Sequence, residues 1–190
     1  MEGALGTQVK FRDLIPYDRA SAPRNSMSSI TGKDKQPFHT DAAFDPQPPR
    51  YVVLYCLDPG EADCPTNLLS VDLASKDVAC DSRLRRQFWI FRGGGNSSFY
   101  APILEIVDGQ YRLRFDPLCM RPASQDQITK MQVEALLKEN SRSASVWWKR
   151  GDLLIIDNWR CLHARGKGAE NTPSRLLRRW MIGAENGLVV

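Results

Sequence analysis

The strongest pattern along the chain is Tyr51-Val52-Val53-Leu54-Tyr55-Cys56-Leu57, an unbroken apolar run rich in β-branched and aromatic side chains. The proline-stiffened stretch Asp45-Pro46-Gln47-Pro48-Pro49, which cannot form a central strand, precedes it, and Asp58-Pro59-Gly60 ends it. The run therefore predicts a buried strand. Asn67–Leu73 predicts a second, shorter one. Ser82–Phe91 gives two signals, helix-like charge at its start and strand-like Phe88–Phe91 at its end. Ile103–Val107 and Gln110–Phe115 flank Asp108-Gly109, a dipeptide that supplies the positive φ angles of a tight hairpin. In the second arm Tyr111, Leu113 and Phe115 alternate with Arg112 and Arg114, which predicts an arginine face turned to solvent.

A helix is expected over about 125–139. Ser124 and Gln127 have capping-box spacing, and Ile128, Met131, Val133, Leu136 and Leu137 form an apolar face before Asn140. Val146–Trp148 and Leu153–Ile156 flank a turn at Lys149-Arg150-Gly151-Asp152, and a closing strand lies near Leu176–Ile182. Residues 1–36 are polar and broken by Pro16, Pro23 and Gly32, so they read as loops or short elements. Short strands separated by turns, with one helix inserted, predict a mainly β barrel or sandwich of antiparallel strands.

Composition narrows the class. A chain of 190 residues with 42% hydrophobic and 25% charged positions is ordinary for a single folded domain. No apolar run approaches the roughly 18–20 residues of a membrane span, and Met1-Glu2-Gly3-Ala4-Leu5 does not read as a secretory signal. The five cysteines, at 56, 64, 80, 119 and 161, contain no Cys-x-x-Cys pair. That argues against a disulfide scaffold or a thiolate zinc site and predicts a reducing, cytoplasmic setting. The net charge of +4 is mild, and the basic clusters Arg83–Arg86 and Arg175–Arg179 are short and interleaved with apolar residues. Charge alone does not point to nucleic acid. Arg92-Gly93-Gly94-Gly95-Asn96 lacks the preceding strand, following helix and lysine of a phosphate cradle, and is expected to be a hinge or lid.

The chemistry-bearing residues are few. In His39-Thr40-Asp41 an extended backbone would turn residues 39 and 41 to one face. His163, the second histidine of the chain, follows the Leu153–Ile156 strand. Were the two segments neighbours, two imidazoles and one carboxylate would occupy one side of a metal ion and leave the other positions open. That arrangement suits Fe(II), with Zn(II) chemically possible. Each histidine taken alone also fits a hydrogen-bonded core residue. On a strand, Arg175, Leu177 and Arg179 share a face and Arg178 points away. Two guanidiniums on an inward face require an anion, and a carboxylate matches the planar fork. The alternative is a surface strand with both arginines in solvent.

These residues together resemble a known family. The order is His39-x-Asp41, a Thr after a strand and turn, then Gly151-Asp152-Leu153-Leu154-Ile155-Ile156-Asp157-Asn158-Trp159-Arg160-x-x-His163-x-Arg165, then Arg175-x-x-x-Arg179. It resembles the Fe(II)/2-oxoglutarate-dependent dioxygenases, nearest the taurine dioxygenase-like and clavaminate synthase-like branch, over roughly 37–182. The resemblance implies a double-stranded β-helix (jelly-roll, cupin-like) core with a few flanking helices, forming a single dioxygenase domain over 1–190. It implies His39, Asp41 and His163 as Fe(II) ligands, and Arg175 on the distal carboxylate of the cosubstrate 2-oxoglutarate. Arg179 would lie near the cosubstrate's other end or an acidic group of the substrate.

Thr66, in Asp63-Cys64-Pro65-Thr66, stands where the family has a cosubstrate-bonding Thr, although the usual preceding Gly-Gly is replaced. The implied reaction uses O2 and releases succinate and CO2 while oxidising, in the first instance hydroxylating, an unactivated C–H of a small polar metabolite such as an amino acid or other carboxylate. The carboxylate at Asp41 sets the chain apart from related halogenases, which carry a small residue there. Gly93–Asn96 and Phe99-Tyr100-Ala101-Pro102 are candidates for a lid or substrate wall. Two alternatives remain open at this level. One is a non-catalytic β-barrel binding a small anion. The other is a dioxygenase acting on a macromolecule, with Arg112 and Arg114 as phosphate contacts, although the family's C-terminal arginine spacing argues against a nucleic-acid partner.

Overall fold

The computed structural model of the protein describes residues 11–24, 26–61, 63–93, 97–125 and 128–183. Its centre is a pair of facing antiparallel sheets. One has the order β1 (Arg12–Leu14), β12 (Leu176–Ile182), β2 (Tyr51–Asp58), β10 (Leu153–Asp157); the other has β11 (Cys161–Arg165), β3 (Thr66–Val71), β9 (Ser141–Val146). The interior between them follows from strand alternation. Val52, Leu54 and Cys56 of β2 point inward with Ile156 and Leu177, and meet Leu68 and Val146 from the opposite sheet and Trp148 just beyond β9. This is the jelly-roll core that the resemblance implies.

The second sheet buries its other face too. Leu69, Val71 and Leu162 join a larger core beneath β4 (Trp89–Arg92), β5 (Ser98–Ala101), β8 (Met120–Pro122), the hairpin β6 (Leu104–Val107) and β7 (Gln110–Leu113), and helix α4 (Lys130–Glu139). Three shorter helices, α1 (Ser28–Thr31), α2 (Lys76–Ala79) and α3 (Ser82–Arg85), complete the flanks. Among the described residues no helix is long and apolar enough to cross a membrane.

β2, β10, β12 and the hairpin stand where the hydrophobic pattern puts them, and the hairpin turns on Asp108 (φ 50°) and Gly109 (φ 75°). Ser82–Phe91 contains both elements its two signals suggested, α3 and the start of β4. The main helix differs from expectation. It begins at Lys130, and its capping box is Thr129 with Gln132, whose side chains and backbones bond reciprocally. Of the expected Ser124–Gln127 box, Gln127 lies outside the described residues. β1, β5, β8 and β11 have no counterpart among the predicted strands, and the expected Val146–Trp148 meets β9 only at Val146. Of these, β11 matters most, because it carries His163.

Candidate metal and cosubstrate site

Backbone pairing brings the two histidines together. His39 forms an isolated antiparallel bridge with His163: His39 N–H donates to the His163 carbonyl at 3.0 Å, and His163 N–H returns the bond at 2.9 Å. Their ring centroids are 4.5 Å apart. Thr40 pairs away from them, with Phe115: its N–H donates to the Phe115 carbonyl at 2.7 Å and its Oγ1 accepts the Phe115 N–H at 3.1 Å. Alternation then returns Asp41 to the side of His39. His163 is thus the centre of its own strand, and β10 need not adjoin the 39–41 segment as the sequence reading supposed.

One ring nitrogen from each of His39 and His163 and one carboxylate oxygen of Asp41 lie within 4.8 Å of one another, and all three residues are buried. His39 Nδ1–H donates to the Pro37 carbonyl at 2.9 Å, which fixes the tautomer and leaves Nε2 with a bare lone pair for a metal. Burial is the main force lowering the His163 pKa, to about 3, with His39 and Arg179 adding and Asp41 opposing. The ring is therefore neutral at ordinary pH, the form in which an imidazole can ligate a metal. Burial would raise the Asp41 pKa, but Arg179 and the two histidines outweigh it and hold the carboxyl below its usual range. Asp41 Oδ1 accepts from Arg179 at 2.7 Å, while Oδ2, 3.6 Å from His163 Nε2, has no hydrogen-bond partner. An orphaned, buried carboxylate oxygen beside two imidazoles is what a divalent ion would satisfy. The residues fit the group the family implies.

Arg175 supplies the second half of the site. It is 5% exposed, its Nε has no partner, and its guanidinium makes no ion pair among the described residues. Burial pulls its pKa down, with the nearby thiols of Cys64 and Cys56 opposing. A buried guanidinium left this way calls for an anion. Thr66, at the start of β3, is buried with its Oγ1 accepting from Trp148 Nε1 at 3.0 Å, so the hydroxyl hydrogen is free to donate. Thr66, Arg175, Arg179 and the three metal-ligand candidates all line one cavity of about 1010 Å³. That is room for 2-oxoglutarate and a small substrate together.

Several expectations change. Arg175 lies just before β12, and a register shift at Leu176/Leu177 re-aims the strand start; Arg179 still shares the inward side of Leu177, and Arg178 turns out to pair with Asp13. Arg179 bonds the Asp41 carboxylate itself, a contact the spacing did not suggest. The arginine face of the hairpin is not a solvated one. Arg112 pairs with Glu105, and Arg114 is 1% exposed, donating to the carbonyls of Ala43, Asp45 and Pro46. Neither is free for a phosphate. Gly93 and Ser97 line the cavity, whereas residues 94–96 lie outside the described residues and Phe99–Pro102 do not line it. In their place residues from 12–23 and 26–30 form one wall, with Tyr17, Met27 and Ser29 among them.

Asp116, also in the lining, was not singled out by sequence. It follows Phe115, the partner of Thr40, so it stands beside the His39-Thr40-Asp41 triplet. One of its oxygens accepts from Leu118 N–H at 2.9 Å, and it makes no ion pair among the described residues.

Comparison with known proteins agrees with this geometry. The model of the taurine catabolism dioxygenase TauD, TfdA family matches residues 81–182, a span that includes His163, Arg175 and Arg179 but not His39, Asp41 or Thr66. Among solved structures, an asparagine oxygenase in complex with Fe(II), 2S,3S-3-hydroxyasparagine and succinate superposes with a TM-score of 0.69 at 18% identity, covering 91% of this chain and 56% of that one. The non-heme iron oxygenase OrfP with Fe and alpha-ketoglutaric acid gives 0.66 at 21% identity, covering 92% and 56%. An OrfP D157A mutant with (3S)-hydroxy-L-Arg gives 0.65 at 22%, covering 92% and 57%. The chain thus spans a little over half the length of the structures it matches. With the family model matched over more than half of its residues and the fold shared with these iron oxygenases, the chain belongs to the TauD, TfdA family.

Proposed function

We propose that this chain is an Fe(II)- and 2-oxoglutarate-dependent oxygenase that hydroxylates a small amino acid or similar carboxylate, with release of succinate and CO2. One observation carries the reading: two imidazoles and a carboxylate with an orphaned oxygen share a cavity with a buried, unpartnered guanidinium. His39, Asp41 and His163 would hold the iron. When bound, the iron supplies the redox chemistry that couples loss of CO2 from 2-oxoglutarate to oxidation of a C–H bond by O2.

The chain's own groups bind and orient. Arg175 takes the distal carboxylate of 2-oxoglutarate as a bidentate fork, and Thr66 donates its hydroxyl to the same ligand. Arg179 keeps one oxygen of Asp41 occupied, so that the other is presented to the metal. Asp116, a cavity-lining carboxylate with no ion pair among the described residues, suits the ammonium of an amino acid, and the wall built from residues 12–23 and 26–30 excludes water from the reacting centre. That wall and β12 close on one cavity, which supports reading the chain as a single dioxygenase domain. The free thiols of its five cysteines fit a reducing, cytoplasmic setting.

Succinate release, measured with Fe(II), 2-oxoglutarate and a panel of amino acids, small carboxylates and sulfonates, tests the proposal. Stimulation by one or more amino acids is expected. Binding of 2-oxoglutarate with no succinate formed under any condition would favour a non-catalytic anion-binding module.

A further inference from the structure

The stretch Asp157-Asn158-Trp159-Arg160 is prominent in the sequence, yet none of its side chains is a ligand candidate. Asn158 nevertheless sits against one. It is 0% exposed; its Oδ1 accepts the Asp41 N–H at 2.7 Å, and its Nδ2 donates to the Asp41 carbonyl at 3.0 Å and to the Pro49 carbonyl at 2.9 Å. One side chain therefore satisfies both backbone polar groups of Asp41, as a neighbouring strand would.

The 41–49 segment needs such a partner. It contains no strand, and Ala42 holds a φ of 53°, a left-handed value that is costly for a residue with a Cβ. Pro46, Pro48 and Pro49 have no N–H to donate. Asn158 is itself anchored, its N–H donating to the Arg50 carbonyl at 2.7 Å, and it lies on the connection from β10 to the His163 strand. Besides the His39–His163 bridge, this amide ties the carboxylate arm to the connection that leads into the His163 strand.

We propose that Asn158 is a positioning residue of the metal site: it holds the Asp41 peptide so that the side chain gives Oδ1 to Arg179 and Oδ2 to the ion. The inference rests on the metal-site reading above. Its test uses Asn158→Ala and the gentler Asn158→Ser, whose hydroxyl cannot span both ends of the peptide. Leu137→Ala serves as control, because it removes buried contacts in α4 without lining the cavity.

Two quantities are measured: Co(II) affinity of the metal-free protein by calorimetry, and amide hydrogen exchange over residues 39–46 with no metal present. Both Asn158 variants should bind Co(II) about ten- to a hundredfold more weakly, the usual effect of losing an outer-shell partner, and exchange faster at Asp41. Leu137→Ala should do neither. Unchanged Co(II) affinity in a folded Asn158 variant, or an equal loss in the control, overturns the inference. Were neither variant to fold, exchange in the wild type decides. Protection of the Asp41 amide comparable to that of β2 supports the clamp, and exchange at the rate of an open loop refutes it. Failure of the wild type to bind Co(II) would strike the metal-site reading and leave the exchange result to judge the clamp.

Discussion

Replacing Arg175 by methionine should have two effects of opposite sign. In the cosubstrate-free protein its charge is a burden, because the residue is 5% exposed and has no counter-ion among the described residues. An ionised group so placed costs free energy that only cavity water relieves. Methionine keeps a long apolar stem and removes the charge. Relief of about 1 kcal/mol would raise the melting temperature of a chain this size by roughly 2–4 °C.

With 2-oxoglutarate present the sign reverses. Losing one partner of a buried, hydrogen-bonded charge pair costs about 2–5 kcal/mol, which raises the dissociation constant roughly 30-fold to several-thousand-fold. Metal affinity should stay as it was, since Arg175 touches none of the three ligand candidates. Thermal unfolding of the metal-free variant gives the first quantity; anaerobic titration of the Fe(II)-loaded variant, followed by its visible absorption, gives the second. A variant that melts several degrees lower without cosubstrate, or that binds 2-oxoglutarate like the wild type, would refute the reasoning.

Thr66→Val removes the acceptor of the Trp148 Nε1–H bond and the hydroxyl facing the cavity; about 1–3 kcal/mol of stability should be lost and 2-oxoglutarate bound about tenfold more weakly. Thr66→Ser should restore both, and wild-type cosubstrate affinity in the valine variant would exclude the contact. Acid stability is expected to report His163. The folded protein keeps this ring neutral down to about 3, whereas in the unfolded chain it takes a proton near 6.5. Between those values the unfolded state binds the extra proton, so metal-free stability falls as pH drops through 6.5, by up to about 1.4 kcal/mol per unit. Asp41, with its pKa lowered, adds a loss only below its ordinary 3.8. His163→Gln should flatten the melting-temperature profile between pH 4 and 6.5, and an unaltered slope would contradict the assignment.

How far the sequence could be read depended on where each residue's partners lie. β2, β10 and β12 were legible because continuous apolar runs bounded by Pro, Gly and Asp leave little choice of element. β9, Ser-Arg-Ser-Ala-Ser-Val, was not, because it is largely exposed and owes its extended form to pairing with β3. Cys161-Leu162-His163-Ala164-Arg165 lacks both β-branched residues and clean alternation, so β11 was invisible although its histidine was not. Residue type and order singled out His39, Asp41, Thr66, His163 and Arg175, which the fold brings to a single cavity. Arg114 misled, since alternation with buried neighbours puts it outside, while three carbonyls of the 43–46 segment draw it in. Asn158 bonds the backbone of Asp41 and Pro49 far along the chain, and Asp116 reaches the cavity through the pairing of Phe115 with Thr40, signals that no local pattern contains.

Anaerobic addition of Fe(II) and then 2-oxoglutarate to the wild type and to His39→Ala, Asp41→Ala and His163→Ala, each checked to be folded, tests the shared site most directly. One ferrous ion per wild-type chain and a visible charge-transfer band on adding 2-oxoglutarate are predicted, with the band lost in every variant. A wild type that takes up no Fe(II), or an undiminished band after removal of any one of the three side chains, would contradict the account.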